Sequence, residues 1–125
     1  MIRSFLLLVL LSMNPLVFSQ DYPLDEVVLG QWSNGKWYPA RISGYYEGLY
    51  DLYFLDGDTS SVDDSKIRTF NWDVETRVSC KWQGKDRYYS GVITKIHGAS
   101  VSINYDDGDK EKTSIKYCRV DDLAE

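Results

Sequence analysis

The chain writes one pattern of apolar and polar positions twice. Tyr50-Asp51-Leu52-Tyr53-Phe54-Leu55 alternates apolar with polar or amphipathic side chains and runs into Asp56-Gly57-Asp58. Period-two alternation marks a half-buried strand, and Asp-Gly marks the hairpin turn that follows it. The pattern returns 51 residues later as Val101-Ser102-Ile103-Asn104-Tyr105-Asp106, followed by Asp107-Gly108-Asp109. Trp32 ahead of Asn34-Gly35-Lys36-Trp37-Tyr38 matches Trp82 ahead of Gly84-Lys85-Asp86-Arg87-Tyr88-Tyr89, with one extra residue in the second turn. Beyond that insertion the offset holds: Tyr38 with Tyr89, Ile42 with Ile93, Leu52 with Ile103, Phe54 with Tyr105, Asp56 with Asp107, Arg68 with Arg119. Self-similarity over a fixed period of this kind is the signature of a repeated structural unit.

Each copy predicts five short strands. In the first they fall at 27–32, 37–43, 49–55, 59–62 and 67–69, with a turn at 33–36, a connection at 44–48 and one helical turn at 63–66. The second copy repeats this plan from Arg77 to Val120. Pro39 lacks an N–H and suits an edge strand or a bulge. Alternation puts Val28, Gly30, Trp32, Tyr38, Ala40, Ile42, Tyr50, Leu52 and Phe54 on the inner face of the first copy. The matching set in the second is Val78, Cys80, Trp82, Tyr89, Gly91, Ile93, Val101, Ile103 and Tyr105. Both sets are apolar in the middle and aromatic at one end. Five strands this short bury one face by curling into a barrel, which gathers the aromatic ends at its mouth. The expected fold is all-β, with two tandem five-stranded barrels at 21–70 and 77–122 joined by the short linker 71–76. That join holds Phe70 and Trp72 and no Gly, Ser or Pro run, so Trp72 and Val74 are expected to pack between the barrels.

The first nineteen residues stand apart from this pattern. One positive charge at Arg3 precedes the apolar run Phe5 to Leu11, Asn14-Pro15 breaks it, and Val17-Phe18-Ser19 suits a peptidase site before Gln20. Residues 1–19 are therefore expected to be a secretory signal peptide, too short and too interrupted for a membrane anchor. The expected location is extracellular, with no membrane attachment after cleavage. Without Arg3 the remainder carries 13 Lys and Arg against 19 Asp and Glu, a net charge of −6. Such a surface repels phosphate backbones, so nucleic acid is not an expected partner. Ten Tyr and four Trp are many for 125 residues, and aromatics both favour strands and line binding surfaces.

Taken together, Val-x-x-x-Trp-x-x-Gly-x-x-Tyr, a small residue, Ile, then Tyr-x-Leu-x-Phe-x-Asp-Gly and a closing Ile-Arg resemble a Tudor domain, written twice over nearly all of the chain after residue 19. Related barrels of the Agenet and chromo-barrel type share much of the pattern. The resemblance implies two SH3-like barrels, many members of the family binding methylated lysine or arginine in an aromatic cage. Carried over by position, it puts Trp32, Tyr38, Phe54 and Asp56 in a first cage and Trp82, Tyr89, Tyr105 and Asp107 in a second. Tyr88 is an alternative to Tyr89, because the insertion blurs the register there. A further aromatic often present on the fourth strand is replaced by Ser60 and Glu111, which leaves each cage open on one side. The chemistry suits the residues. A methylated ammonium has a diffuse charge and few hydrogen bonds to lose, so aromatic faces attract it while removing it cheaply from water.

Other chemistries find little footing. The acidic turns Asp56-Gly57-Asp58 and Asp106-Asp107-Gly108-Asp109 lack the alternating ligands of an EF-hand loop, so no metal is expected. His97 is the only histidine and falls in a predicted turn, and no nucleophile has a base fixed near it, so neither catalytic residues nor a cofactor are expected. Cys80 and Cys118 are expected to form a disulfide, since their counterparts Gly30 and Ile67 lie on neighbouring first and fifth strands. The sequence thus points to a secreted binding module whose partner is a methylated protein or peptide or a small quaternary ammonium. The alternative is a secreted structural or adhesive protein that keeps the barrels for protein–protein contact.

Overall fold

The computed structural model describes residues 22–121, and the expected signal peptide lies outside the described residues. Ten strands follow in order: β1 (Val27–Gln31), β2 (Trp37–Tyr46), β3 (Leu49–Phe54), β4 (Thr59–Val62), β5 (Ile67–Thr69), β6 (Arg77–Lys81), β7 (Tyr88–His97), β8 (Ser100–Tyr105), β9 (Lys110–Ser114) and β10 (Cys118–Arg119). They form two five-stranded antiparallel sheets, ordered β4-β3-β2-β1-β5 and β10-β6-β7-β8-β9. The order is the same in both once the copies are aligned. A 3-10 turn at Asp64–Lys66 carries the first sheet from β4 to β5, and one at Ile115–Tyr117 carries the second from β9 to β10. The architecture is the expected one, two tandem five-stranded SH3-like barrels. No helix among the described residues is long and apolar enough to cross a membrane.

Alternation fixes the two cores. Val28, Ala40, Ile42, Tyr50, Leu52, Phe54 and Ile67 make the first, with Trp32 and Tyr38 packed at its rim. The second contains Val78, Cys80, Ile93, Val101, Ile103, Tyr105, Ile115 and Cys118. Three further buried residues belong to this second cluster although they precede the second sheet in the chain: Leu29, Trp37 and Trp72. Leu29 and Trp37 lie on the outer side of the first sheet, so β1 is buried on both faces. Trp72 packs as expected, edge-tilted on Phe70 at 5.0 Å between ring centres. Val74 does not. It is 51% exposed, because the backbone there turns, with Glu75 N–H donating to Ile93 O at 2.7 Å.

Two other expectations need correction. The second strand runs on to Tyr46 instead of ending at Ser43, and its partner β7 runs to His97. Gly44 reads as the start of a loop, yet it follows a bulge: the pairing of β2 with β3 shifts between Ile42 and Gly44, as that of β7 with β8 shifts between Ile93 and Lys95. A bulge lets one long strand bend and serve both halves of a curled sheet. The hairpin then closes on Glu47 and Gly48, both at positive φ (50° and 88°). Pro39 is not on an edge, since β2 is central and Pro39 pairs with Leu29. It lies one residue before the ladder with β3 begins at Ala40, so its missing N–H breaks no bond there, and its carbonyl accepts Leu55 N–H at 3.0 Å.

Cys80 and Cys118 stand directly opposite each other on β6 and β10, with Cα atoms 4.1 Å apart, and are joined by a disulfide. β10 is only two residues long, so this bond is its main anchor. In the first barrel the place of Cys80 is taken by Gly30, where a Cβ would stand 2.6 Å from Leu52 Cδ1 and 3.1 Å from the Phe54 ring. Core side chains fill there the space that sulfur fills in the second copy.

The bond closes a 38-residue separation, for which loop-closure entropy gives about 3–4 kcal/mol. Replacing both cysteines by Ala, or reducing the protein, is expected to lower the unfolding free energy by that amount in a denaturant titration. At Gly91 a Cβ would meet the backbone Asn104 O at 2.7 Å and Ile103 Cγ2 at 2.9 Å, so Gly91→Ala must push β7 from β8. An overpacking cost of about 1–3 kcal/mol is expected in the same titration.

Candidate functional site

The aromatic end of each barrel is built around the last residue of its third strand. Phe54 ends β3, and the chain turns at once through Asp56-Gly57-Asp58. Phe54 N–H donates to Asp58 O at 2.8 Å, and Gly57, at φ 108°, donates back to Phe54 O at 2.9 Å. Tyr105, Asp109 and Gly108 repeat these bonds at 2.8 and 2.9 Å. The carboxylates of Asp56 and Asp107 accept the N–H groups of Asp58 and Asp109, at 3.4 and 3.0 Å. The acidic turns are therefore held by their own backbone. Among the described residues no group of three or more His, Cys, Asp or Glu could hold a metal ion.

Two rings stand edge-on to Phe54. Trp32 lies 5.3 Å away at 88°, and Tyr38 lies 6.3 Å away at 90°. In the second barrel Trp82 lies 5.8 Å from Tyr105 at 75°, and Tyr89 6.5 Å at 85°. Edge-to-face contacts at such distances are the favoured aromatic geometry. They hold the rings upright around a hollow instead of stacking them shut. Cavity 1, of about 120 Å³, is lined by Trp32, Asn34, Tyr38, Phe54, Asp56, Asp58 and Tyr88. Cavity 2, of about 150 Å³, is lined by Trp82, Tyr89, Tyr105, Asp107 and Asp109. All four residues assigned from sequence to each cage thus border one hollow, and each hollow gains a second carboxylate, Asp58 or Asp109.

The structure departs from the sequence reading at Tyr88. It does not substitute for Tyr89, which is 42% exposed at cavity 2. Tyr88 leaves its own barrel and borders cavity 1. The guanidinium of Arg119 stacks on it, 3.7 Å from the ring centre. Arg119 Nη1 also donates to Tyr38 Oη at 3.1 Å, while Asn34 Nδ2 donates to the same oxygen at 2.9 Å. The doublet Tyr88-Tyr89 beside a one-residue insertion was the only sequence signal for this, and it named no direction. Burial raises the Tyr88 hydroxyl above its usual range, with the neighbouring Tyr38 adding to the effect and Arg119 opposing it.

Glu111, one of the two replacements for the fourth-strand aromatic, has a task of its own. Its carboxylate accepts the Tyr105 hydroxyl at 2.6 Å and Gln83 N–H at 3.1 Å. Gln83 lies in the turn that carries the insertion of the second copy and sits at φ 54°, so Glu111 ties that strained turn to the Tyr105 ring. Burial, followed by this hydrogen bond and the charges of Glu111 and Asp107, pushes the Tyr105 hydroxyl well above its ordinary value of 10.0.

No protein-family model and no curated protein matches the sequence. Among solved structures the chain is similar to the crystal structure of Arabidopsis thaliana AGDP1 AGD34, at 15% identity and a TM-score of 0.40, covering 79% of this chain and 82% of that one. It is also similar to the crystal structure of ADCP1 tandem Agenet domain 3-4, at 15% identity and a TM-score of 0.37, covering 79% of each chain.

The raised Tyr105 hydroxyl makes stability depend on alkaline pH. In the unfolded chain the phenol ionises near 10, whereas the fold keeps it protonated to higher pH. Its contribution is full below pH 10 and declines as pH rises beyond that value. Denaturant midpoints at about pH 8 and about pH 11 are expected to show this fall, and Tyr105→Phe is expected to reduce it.

Proposed function

We propose that this chain is a binding module for methylated ammonium groups, on lysine or arginine side chains of a protein or peptide or on a small quaternary ammonium. The observation that carries the reading is the repeated hollow: two upright rings over a third that forms the floor, beside a carboxylate-bearing turn, in the same place in both barrels. Rings attract a desolvated cation through their faces. The paired carboxylates Asp56 and Asp58, or Asp107 and Asp109, add Coulomb attraction at the rim and accept a bond from any N–H that methylation leaves. The binding units are the barrels at 21–70 and 77–122 with 71–76 between them. Binding and not catalysis is the reading, because both hollows offer ring faces and carboxylates, the groups that hold a cation.

A disulfide is at home in an oxidising compartment, and Cys80–Cys118 therefore supports extracellular action together with the leader read at residues 1–19. One further observation favours the structural or adhesive alternative. Tyr46 and Leu49 stand opposite each other where β2 meets β3, and both are exposed. Such a patch suits contact with another protein.

Each aromatic contact contributes about 0.5–2 kcal/mol, which corresponds to binding of an isolated ammonium at about millimolar strength after association costs. A peptide reaching both hollows would gain from avidity. In an NMR titration, ring and indole signals of Trp32, Tyr38, Phe54, Trp82, Tyr89 and Tyr105 are expected to move with trimethyl-lysine or dimethyl-arginine peptides more than with unmodified lysine peptides. Equal movement with both overturns the reading. Trp32→Ala is expected to abolish the response at cavity 1 in a protein that still folds.

A further inference from the structure

Building on the ammonium-binding reading above, we propose that the second barrel supplies part of the first barrel's site. Tyr88 is the fourth wall of cavity 1, Arg119 is the positioning residue that holds it there, and cavity 1 is in consequence the tighter of the two sites.

The two copies offer each other the same pair of side chains. Trp37 and Arg68 in the first correspond to Tyr88 and Arg119 in the second, and each arginine lies over its aromatic partner, at 5.0 and 3.7 Å. The pairs end up in different places. Trp37 is buried in the second barrel's core cluster and borders neither cavity. Tyr88 is half-buried and lines cavity 1. Cavity 1 therefore has four rings, Trp32, Tyr38, Phe54 and Tyr88, against three in cavity 2.

Arg119 is well placed to fix this arrangement. Its guanidinium joins Tyr88 by stacking and Tyr38 by a hydrogen bond, so one group sets two walls of the same hollow. Arg119 is not itself among the lining residues. Its neighbours in the chain are both anchored: Cys118 by the disulfide, and Val120 by paired backbone bonds with Trp37, each 2.9 Å. Asp121 Oδ1 lies 3.4 Å from Arg119 Nε and 3.6 Å from Lys36 Nζ, which adds a charge contact across the barrels. Because the Arg119 guanidinium and, at 5.4 Å, Lys81 Nζ already lie over the Tyr88 ring, that ring gives the ligand shape and dryness more than a full cation–π contact. The expected effect of losing it is at the low end for one aromatic contact, about 2- to 5-fold in affinity.

The test is a titration of the full chain with tetramethylammonium chloride, against sodium chloride at equal ionic strength. The indole N–H signals of Trp32 and Trp82 report the two cavities separately. In the unaltered protein cavity 1 is expected to bind more tightly than cavity 2. Tyr88→Ala is expected to weaken cavity 1 by about 2- to 5-fold and to leave cavity 2 unchanged, while Tyr88→Phe retains binding at both. Arg119→Ala is expected to weaken cavity 1 as well, and to cost less in the Tyr88→Ala background than alone, as an effect acting through Tyr88 requires. Binding that is unchanged at cavity 1 by Tyr88→Ala, or weakened equally at both cavities, overturns this proposal and leaves the ammonium reading standing. No response at either indole in the unaltered protein overturns both.

Discussion

The burial of β1 on both faces is the constraint from which the rest follows. A single five-stranded barrel of about fifty residues has too little interior to be secure by itself. Here Val28 fills the first core while Leu29, the next residue, is covered by the second. Trp37 and Trp72 extend the same cover. The two barrels thereby share apolar burial that neither could complete alone, at roughly 25 cal/mol per Å² removed from water. Backbone pairing of Trp37 with Val120 then sets the register of one barrel against the other. Once that register is fixed, Tyr88 and Arg119 have no freedom to be anywhere but beside Tyr38.

Within each barrel, the residue ending the third strand serves core and site at once. Phe54 and Tyr105 are almost fully buried, yet they form the floor of their hollows. The rings that meet them edge-on are less buried and belong to the mouth. This division separates rigidity from accessibility. The floor is packed by the barrel interior, the turn behind it is closed by backbone bonds and a glycine at positive φ, and only the upright rings face solvent. A hollow made this way is preformed, so a ligand does not have to order the loop that receives it. The disulfide contributes to the same rigidity from the opposite side, by anchoring the short β10 that carries Arg119.

Much of this was legible in the residues. The 51-residue offset and the period-two alternation gave the strands of both copies and their inner faces, and the resemblance to Tudor domains pointed to eight of the twelve residues that line the two hollows. Cys80 opposite Cys118 followed from the position of their counterparts. What alternation could not see was the outer face. Leu29 and Trp37 sit at positions that period two assigns to solvent, and only the second barrel makes them interior. Val74 failed for the reverse reason: an apolar side chain in a linker was expected to be buried, but backbone bonding of Glu75 and Thr76 to Ile93 sets the local path and leaves it outside. The bulge after Ile42 was hidden because Gly44 reads as a turn residue whichever role it has.

The two copies differ in the side chains around their hollows. In the first, a fourth ring comes from Tyr88 across the interface. In the second, no ring can arrive from the first barrel, because Trp37 is committed to the shared core. Glu111 accepts the hydroxyl of Tyr105 there, which together with burial keeps that phenol protonated above its usual range. The two hollows therefore differ in their rings: cavity 1 has four, with a guanidinium stacked on Tyr88, and cavity 2 has three, while each is lined by two aspartates. The asymmetry follows from the contacts between the barrels: those that bury Leu29, Trp37 and Trp72 keep Trp37 out of both hollows, while Tyr88 reaches cavity 1.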